Sequence, residues 1–349
     1  MRFHRPRPLG GSPSISVIVP CYRYGHFLPD AVASALDQPG VDVEVIVVDD
    51  ASPDDSAEVA HALAVADPRV RVLVHPHNLG HIASYNDGIA LARGDYISLL
   101  SADDLLTPGA LTRAAALFES HPRVGLVYGY ARSFTGAVPV ADPQVRNWSV
   151  YPGREWLGLA ARRGRCFISS PEAVVRREVL AERGYDPRLP HSADFALWLR
   201  AAAHWDVARV NGPVQAWYRV HDANMHLTTY AGWLTDLQER QRTFELFFAE
   251  EVLDVAQLRS HHRTALRALS REAAYRALAA RRDGREADAV AYRRFADGLR
   301  PASEQDLAWR LEELVGRSIA TPLPGAAALR FAGRARHHLR WRFERRYGT

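Results

Sequence analysis

Ile15-Ser16-Val17-Ile18-Val19-Pro20 and Val43-Glu44-Val45-Ile46-Val47-Val48-Asp49-Asp50 decide the fold. Both are short β-branched runs without helical spacing, the pattern of strands covered on both faces. Between them Phe27, Ala31, Val32 and Ala35 fall at helical spacing over residues 26–36. Outward from this β-α-β start the alternation continues. Ser52-Pro53-Asp54-Asp55-Ser56 supplies the polar and acidic residues of a helix start, and a helix follows over 57–65. Strands are expected at 70–75, 96–100 and 124–130, and helices at 82–92, stopped by Gly94, and at 111–120. Alternating strands and helices of this length predict an α/β domain around a mostly parallel sheet. Such sheets bind ligands beyond the carboxyl ends of their strands. Two of these strands end in acid pairs, Asp49-Asp50 and Ser101-Ala102-Asp103-Asp104.

Beyond residue 131 the alternation decays. Pro139, Pro143, Pro152 and Gly153 mark 131–165 as a long loop region with one short helix near Trp156. A helix over 192–203 and a strand and turn over 207–220 follow. From 229 to 300 the pattern is helical in three segments, broken near Asp254 and at Asp283-Gly284. The expected organisation is a flexible basic arm at 1–14, a main domain at 15–230, a helical region at 231–320 and a basic segment at 321–349. The apolar positions of the helical region, around Leu237, Phe244, Phe247, Leu258, Leu266 and Leu269, imply a core within the chain or between two chains, so a homodimer and acceptor recognition both stay open.

All 44 basic residues are Arg, in a chain with a net charge of +4. Residues 326–349 hold seven Arg and one Glu and residues 1–14 hold three Arg, which leaves the body mildly acidic. That argues against a nucleic-acid surface. The last segment mixes Arg with Phe331, Leu339, Trp341 and Phe343, which suits either peripheral contact with an anionic membrane or a solvated basic face. No run of 18 apolar residues and no secretory pattern occurs. Cys21 and Cys166 are too few for a disulfide framework or a cysteine zinc cage and read as thiols of a reducing cytoplasm. His75, His77 and His81 lack cysteine partners and zinc-site spacing.

The acid pairs carry the chemistry. Asp49-Asp50 can cap a helix or bind a nucleoside in the crevice. Ser101-Ala102-Asp103-Asp104 can cap a helix before Thr107-Pro108 or, with one or two carboxylates and substrate phosphates, hold a hard cation such as Mg²⁺ or Mn²⁺. A chain without lysine has no ordinary P-loop, and Val19-Pro20-Cys21-Tyr22 stands where a dinucleotide-binding glycine loop would begin. No Gly-x-Ser-x-Gly elbow occurs.

The runs VIVPCYRYGHFLPDAVASALDQ (17–38), EVIVVDDASPDDS (44–56) and HNLGHIASYNDGIALARGDYISLLSADDLLTPGAL (77–111), followed by HSADFALWLR (191–200) and WYRVH (217–221), resemble the inverting family 2 glycosyltransferases in order and spacing. The resemblance covers about residues 15–225 and implies the A-type glycosyltransferase fold (GT-A), a Rossmann-like α/β/α domain, here with an added C-terminal helical region. It implies that Pro20 and Tyr22 cup the donor's base, that Asp50 contacts it and that Asp49 supports that strand end. Ser101 and Asp103 match the outer positions of the family's Asp-x-Asp motif, so Asp103 is the expected metal residue and Ser101 an uncharged donor-site departure. Asp104 either helps through a water or orders the loop. Asp194 matches the catalytic base, with Ala193 in place of the usual Glu. Arg219 is expected near the diphosphate and His221 at the metal. The implied reaction moves one sugar from a nucleotide-diphosphate sugar, UDP first, to an acceptor hydroxyl by single displacement. The acceptor is a surface-polysaccharide or lipid-linked intermediate or a small natural product. The family's processive Gln-x-x-Arg-Trp block is missing, which implies single addition. The rival reading is a non-catalytic sugar-nucleotide-binding scaffold on the same fold. The glycine- and lysine-rich loop of a nucleotidyltransferase is absent.

Overall fold

The computed structural model describes residues 1–181, 183–224, 232–250 and 255–299. They fall into two compact units, Met1–Leu157 with Cys166–Asn224, and Gly158–Arg165 with Met225–Thr349. In chain order the elements up to residue 224 are β1 (Arg2–His4), β2 (Ser14–Cys21), α1 (Leu28–Leu36), β3 (Asp42–Asp49), α2 (Ser56–Ala66), β4 (Val70–Val74), α3 (His81–Leu91), β5 (Tyr96–Leu99), β6 (Leu105–Leu106), α4 (Ala110–Ser120), β7 (Val124–Phe134), β8 (Asn147–Tyr151), α5 (Gly153–Arg163), β9 (Val174–Arg176), α6 (Arg177–Leu180), α7 (Ala193–His204) and β10 (Asp206–Arg219).

The strands form one mixed sheet in the order β1-β8-β10-β7-β9-β5-β2-β3-β4, with β6 pairing β10. Its β4-β3-β2-β5 half is parallel, as the buried β-branched runs require. From β2 the chain steps out to β3 and β4, then returns to lay β5 on the other side of β2. That reversal is a topological switch point, and it opens a crevice beyond the carboxyl ends of β2 and β5. Tyr22 follows one strand and Ser101–Asp104 the other. Ile15, Val17, Val19, Val45 and Val47 pack with Leu28, Val32 and Leu111 in the main core. Gly94 lets the turn before β5 lie on β2, because a Cβ there would sit 2.5 Å from the Ser16 nitrogen.

Two expectations need correction. Residues 131–165 hold the expected helix near Trp156, α5, but are not otherwise mainly loop: Asn147–Tyr151 is a strand pairing β10. The 1–14 arm carries β1, which pairs antiparallel with β8 through His4 and Trp148. The short runs and the prolines hid these two strands; β8 pairs β10 on one side and carries β1 on the other.

The second unit holds α8 (Trp233–Glu250), α9 (Val255–Arg282) and α10 (Glu286–Gly298). Leu237, Phe244, Phe247, Leu269, Ala273, Ala289 and Tyr292 are buried. Arg240 is buried with them and is fully engaged, by the Gly164 carbonyl at 2.8 Å, Glu272 at 3.0 Å and Asp236 at 2.6 Å. The basic segment at 321–349 lies outside the described residues. Among the described residues no helix is long and apolar enough to cross a membrane.

Candidate active site

Register builds the site. β6 pairs antiparallel with β10, Leu105 opposite Trp217 and Leu106 opposite Ala216. Continuing that ladder by two residues brings Asp104 and Asp103 beside Tyr218 and Arg219. The Arg219 backbone N–H donates to Asp104 Oδ1 at 2.9 Å and its Nε to the Asp103 carbonyl at 2.9 Å. The guanidinium lies 4.8 Å from the ring centres of both Phe27 and Phe134, and Nη2 reaches Asp30 at 3.3 Å. Arg219 is therefore a braced positive charge next to the acids. His221 Nε2 is 3.0 Å from Asp103 Oδ2, and Asn224 Nδ2 donates to the same oxygen at 3.2 Å. Tyr24 and Phe27 pack on the His221 ring, at 5.4 and 5.0 Å between centroids. Burial, then the charge of Asp103, pushes the Asp104 carboxyl well above the usual carboxylate range. Burial and the same two acids push the Tyr24 phenol up to about 12.

Ser101 Oγ is 3.3 Å from the hydroxyl of Tyr85, a fully buried phenol that also feels Asp103, Asp104 and Asp194. Tyr85 thus ties the acids after β5 to the expected base. Asp194 sits in the first turn of α7. Its Oδ1 accepts the Phe195 N–H at 2.6 Å and its Oδ2 accepts the Ser170 hydroxyl at 2.7 Å. Burial raises its pKa, against the lowering effect of those two donors and of His191.

Asp50 is less open than expected. Oδ1 accepts the Leu79 N–H at 2.7 Å and lies 2.8 Å from His75 Nδ1, while Oδ2 accepts the Gly80 N–H at 2.8 Å. His75 Nε2 is in turn 3.1 Å from Asp87. Asp50 therefore ties the loop before α3 to the end of β3, and Gly80, at φ 87°, supplies the left-handed residue that this turn needs. Asp49 accepts the Ser52 N–H at 3.0 Å, and its other oxygen is buried without a partner. Pro20 is half-buried in β2. Tyr22 is 42% exposed just past the strand.

Reading the sequence missed Tyr24, Phe27, Tyr85, Asn224, Ser170 and Glu172. Phe27 stood out only as an apolar helix position, and Asn224 fell in an unpatterned turn. Glu172 is 4% exposed; Oε1 accepts the Ser169 N–H at 2.7 Å and Oε2 has no partner. Burial, with Asp194 adding to it, pushes its pKa from 4.5 to about 7. An acid with a raised folded pKa binds more protons folded than unfolded, so its contribution to stability falls between about pH 4.5 and 7. Glu172→Gln should therefore melt higher than the parent at pH 8, by up to about 3 kcal/mol, and close to it at pH 4.5. Thermal unfolding at both pH values checks this; a difference independent of pH would contradict it.

The family model of glycosyl transferase family 2 matches residues 16–184, the stretch that carries β2 to β9 and both acid pairs. An uncharacterised protein of Mycobacterium tuberculosis is 30% identical over 241 residues, 66% of this chain and 74% of that one. Two solved structures share the fold at low identity. A mannosyltransferase of Pyrobaculum calidifontis in complex with GDP-Man and Mn²⁺ superposes with a TM-score of 0.59 at 16% identity, over 92% of this chain and 85% of that one. TarS of S. aureus in complex with UDP-GlcNAc gives 0.60 at 17%, over 88% and 90%. The mixed sheet with its switch point is thus the GT-A arrangement. The chain belongs to glycosyl transferase family 2 and is a glycosyltransferase.

Proposed function

We propose that the chain is an inverting transferase that takes one sugar from a nucleotide-diphosphate donor, UDP before dTDP or GDP, and places it on a carbohydrate, lipid-linked or natural-product hydroxyl. The observation that carries this reading is the pairing of two acidic centres around Tyr85. One is Asp103 with Asp104, His221 and Arg219; the other is Asp194, held by two hydrogen bonds. The first suits a diphosphate only if its negative charge is offset, and the second suits a proton acceptor.

The donor set fits a divalent cation. Asp103 and His221 offer oxygen and nitrogen on one point, and the buried Asp104 beside them leaves the pocket short of positive charge. Among the described residues no three His, Cys, Asp or Glu side chains are placed to hold a metal ion by themselves. Asp103 and His221 are the residues that would hold Mn²⁺ or Mg²⁺, with the remaining positions left to phosphate and water. Such a cation, when bound, offsets the charge of the leaving diphosphate. Arg219, stacked between two rings, adds a fixed positive charge to the same end. Tyr22 offers an exposed ring beyond β2 for the base, with the half-buried Pro20 two residues before it. Asp49 keeps one unsatisfied oxygen at the neighbouring strand end, while Asp50 fixes the loop that shapes that wall.

Asp194 takes the proton of the acceptor hydroxyl as the acceptor oxygen bonds to the anomeric carbon. The bond from that carbon to the phosphate oxygen breaks in the same step, and its electron pair leaves with the nucleoside diphosphate. One displacement inverts the anomeric centre. A role in surface-polysaccharide or natural-product glycosylation rests on the family resemblance, and membrane contact on the seven arginines of 326–349.

The test is proton NMR of the sugar first released or transferred from α-linked UDP-, dTDP- and GDP-sugars. A β product from one nucleotide series is expected. An α product rules out single displacement.

A further inference from the structure

Three non-glycine residues among the described ones have left-handed backbones: Arg23 at φ 62°, Ala51 at 54° and Ser170 at 82°. Each costs roughly 1–3 kcal/mol, so its surroundings must enforce it. Arg23 and Ala51 lie in the turns after β2 and β3. Ser170 lies in no strand-end turn, yet it donates to Asp194 across 24 positions of sequence. Pro171 follows it and disfavours the right-handed helical alternative. The Ala173 N–H donates back to the Ser170 carbonyl at 2.9 Å, and the buried Glu172 holds the Ser169 N–H at 2.7 Å. The turn is thus closed on both sides of the strained residue. On α7 itself Ala193, buried beside the base, brings it no charge.

We propose that the Ser169–Glu172 turn is a positioning device for Asp194: the strained Ser170 backbone aims its hydroxyl at Oδ2, so that with Phe195 on Oδ1 the carboxylate is fixed in orientation, with its remaining lone pairs free for the acceptor proton. This rests on the reading of Asp194 as the base. Ser170 is a positioning residue that touches no substrate. Its hydroxyl favours the charged form of Asp194, against burial, which disfavours it. The other titratable groups that Asp194 feels are Glu172 and Cys166 on the same loop, His191 before α7, His81 and Tyr85 on α3, and Tyr185. Replacing Ser170 removes none of them.

The experiment is a ¹³C-carboxyl NMR titration of the full chain labelled at Asp side chains, with no ligand added and the Asp194 signal assigned by its loss in Asp194→Asn. Ser170→Ala should move the Asp194 midpoint up by about one pH unit, a tenfold gain in proton affinity. Ser170→Gly, whose backbone adopts the same φ freely, should show the same rise, which separates the lost hydroxyl from a relaxed turn. An unmoved midpoint in the Ala and Gly variants overturns the proposal. Undiminished turnover of Asp194→Asn would instead remove the base itself, a result read from kinetics and independent of this titration.

Discussion

Replacing Asp194 with Asn is expected to lower kcat by about a thousandfold, with the donor KM held within about threefold. Asn keeps the shape of the side chain, its place in the first turn of α7 and an oxygen for the Ser170 or Phe195 hydrogen bond. It cannot accept a proton. The loss should therefore fall on the chemical step. Release of nucleoside diphosphate from the sugar donor measures it, and a kcat within tenfold of the parent would take Asp194 out of the reaction. The same group sets the sign of the pH dependence. Burial lifts the Asp194 carboxyl above its ordinary value, so in the role proposed for it Asp194 should become protonated, and activity should fall, as pH drops through that raised value. The acidic limb should then lie higher than an exposed aspartate would place it, and Asp194→Asn should have no such limb.

Asp103→Asn should weaken metal-linked binding of the nucleoside diphosphate by about a hundredfold, near 2.7 kcal/mol. The carboxylate that faces His221 Nε2 at 3.0 Å loses its charge but not its volume. The change also relieves the crowding of negative charge at Asp104, whose neutral form is favoured by burial and by Asp103 together. In EDTA the variant should melt no lower than the parent. This pairing of outcomes, a lost ligand without lost stability, separates a metal role from a structural one. Asp103→Asn that melts lower in EDTA and binds nucleotide as before would reverse both assignments.

The parallel half of the sheet was legible because each strand announces itself locally. Residues 15–20 and 43–48 are β-branched runs between Gly, Pro and Asp, and the observed strands extend them by a residue or two. The acids after β3 and β5 were legible for the same reason, since a strand end at a switch point is where a ligand site forms. Strand β8 was not, because Trp148 and Tyr151 sit in a proline-rich stretch and are strand residues by pairing with distant β10 and β1. Ser170 was hidden more deeply. Nothing in Ser169-Ser170-Pro171-Glu172 marks a left-handed serine, and its aim at Asp194 exists only once α7 is in place. Asp50 shows the converse. Its position after β3 suggested an open acid, but the tertiary fold spends its oxygens on His75, Leu79 and Gly80.

The crevice beyond β2 and β5 is proposed to bind a nucleoside diphosphate through a cation held at Asp103 and His221. Calorimetric titration of UDP, dTDP and GDP into the full chain, each with Mn²⁺ and with EDTA, beside Asp103→Asn, tests it most directly. One nucleotide should bind with Mn²⁺ about a hundredfold more tightly than with EDTA, and Asp103→Asn should erase the difference. Equal affinity in Mn²⁺ and EDTA, or no binding of any of the three, would contradict it.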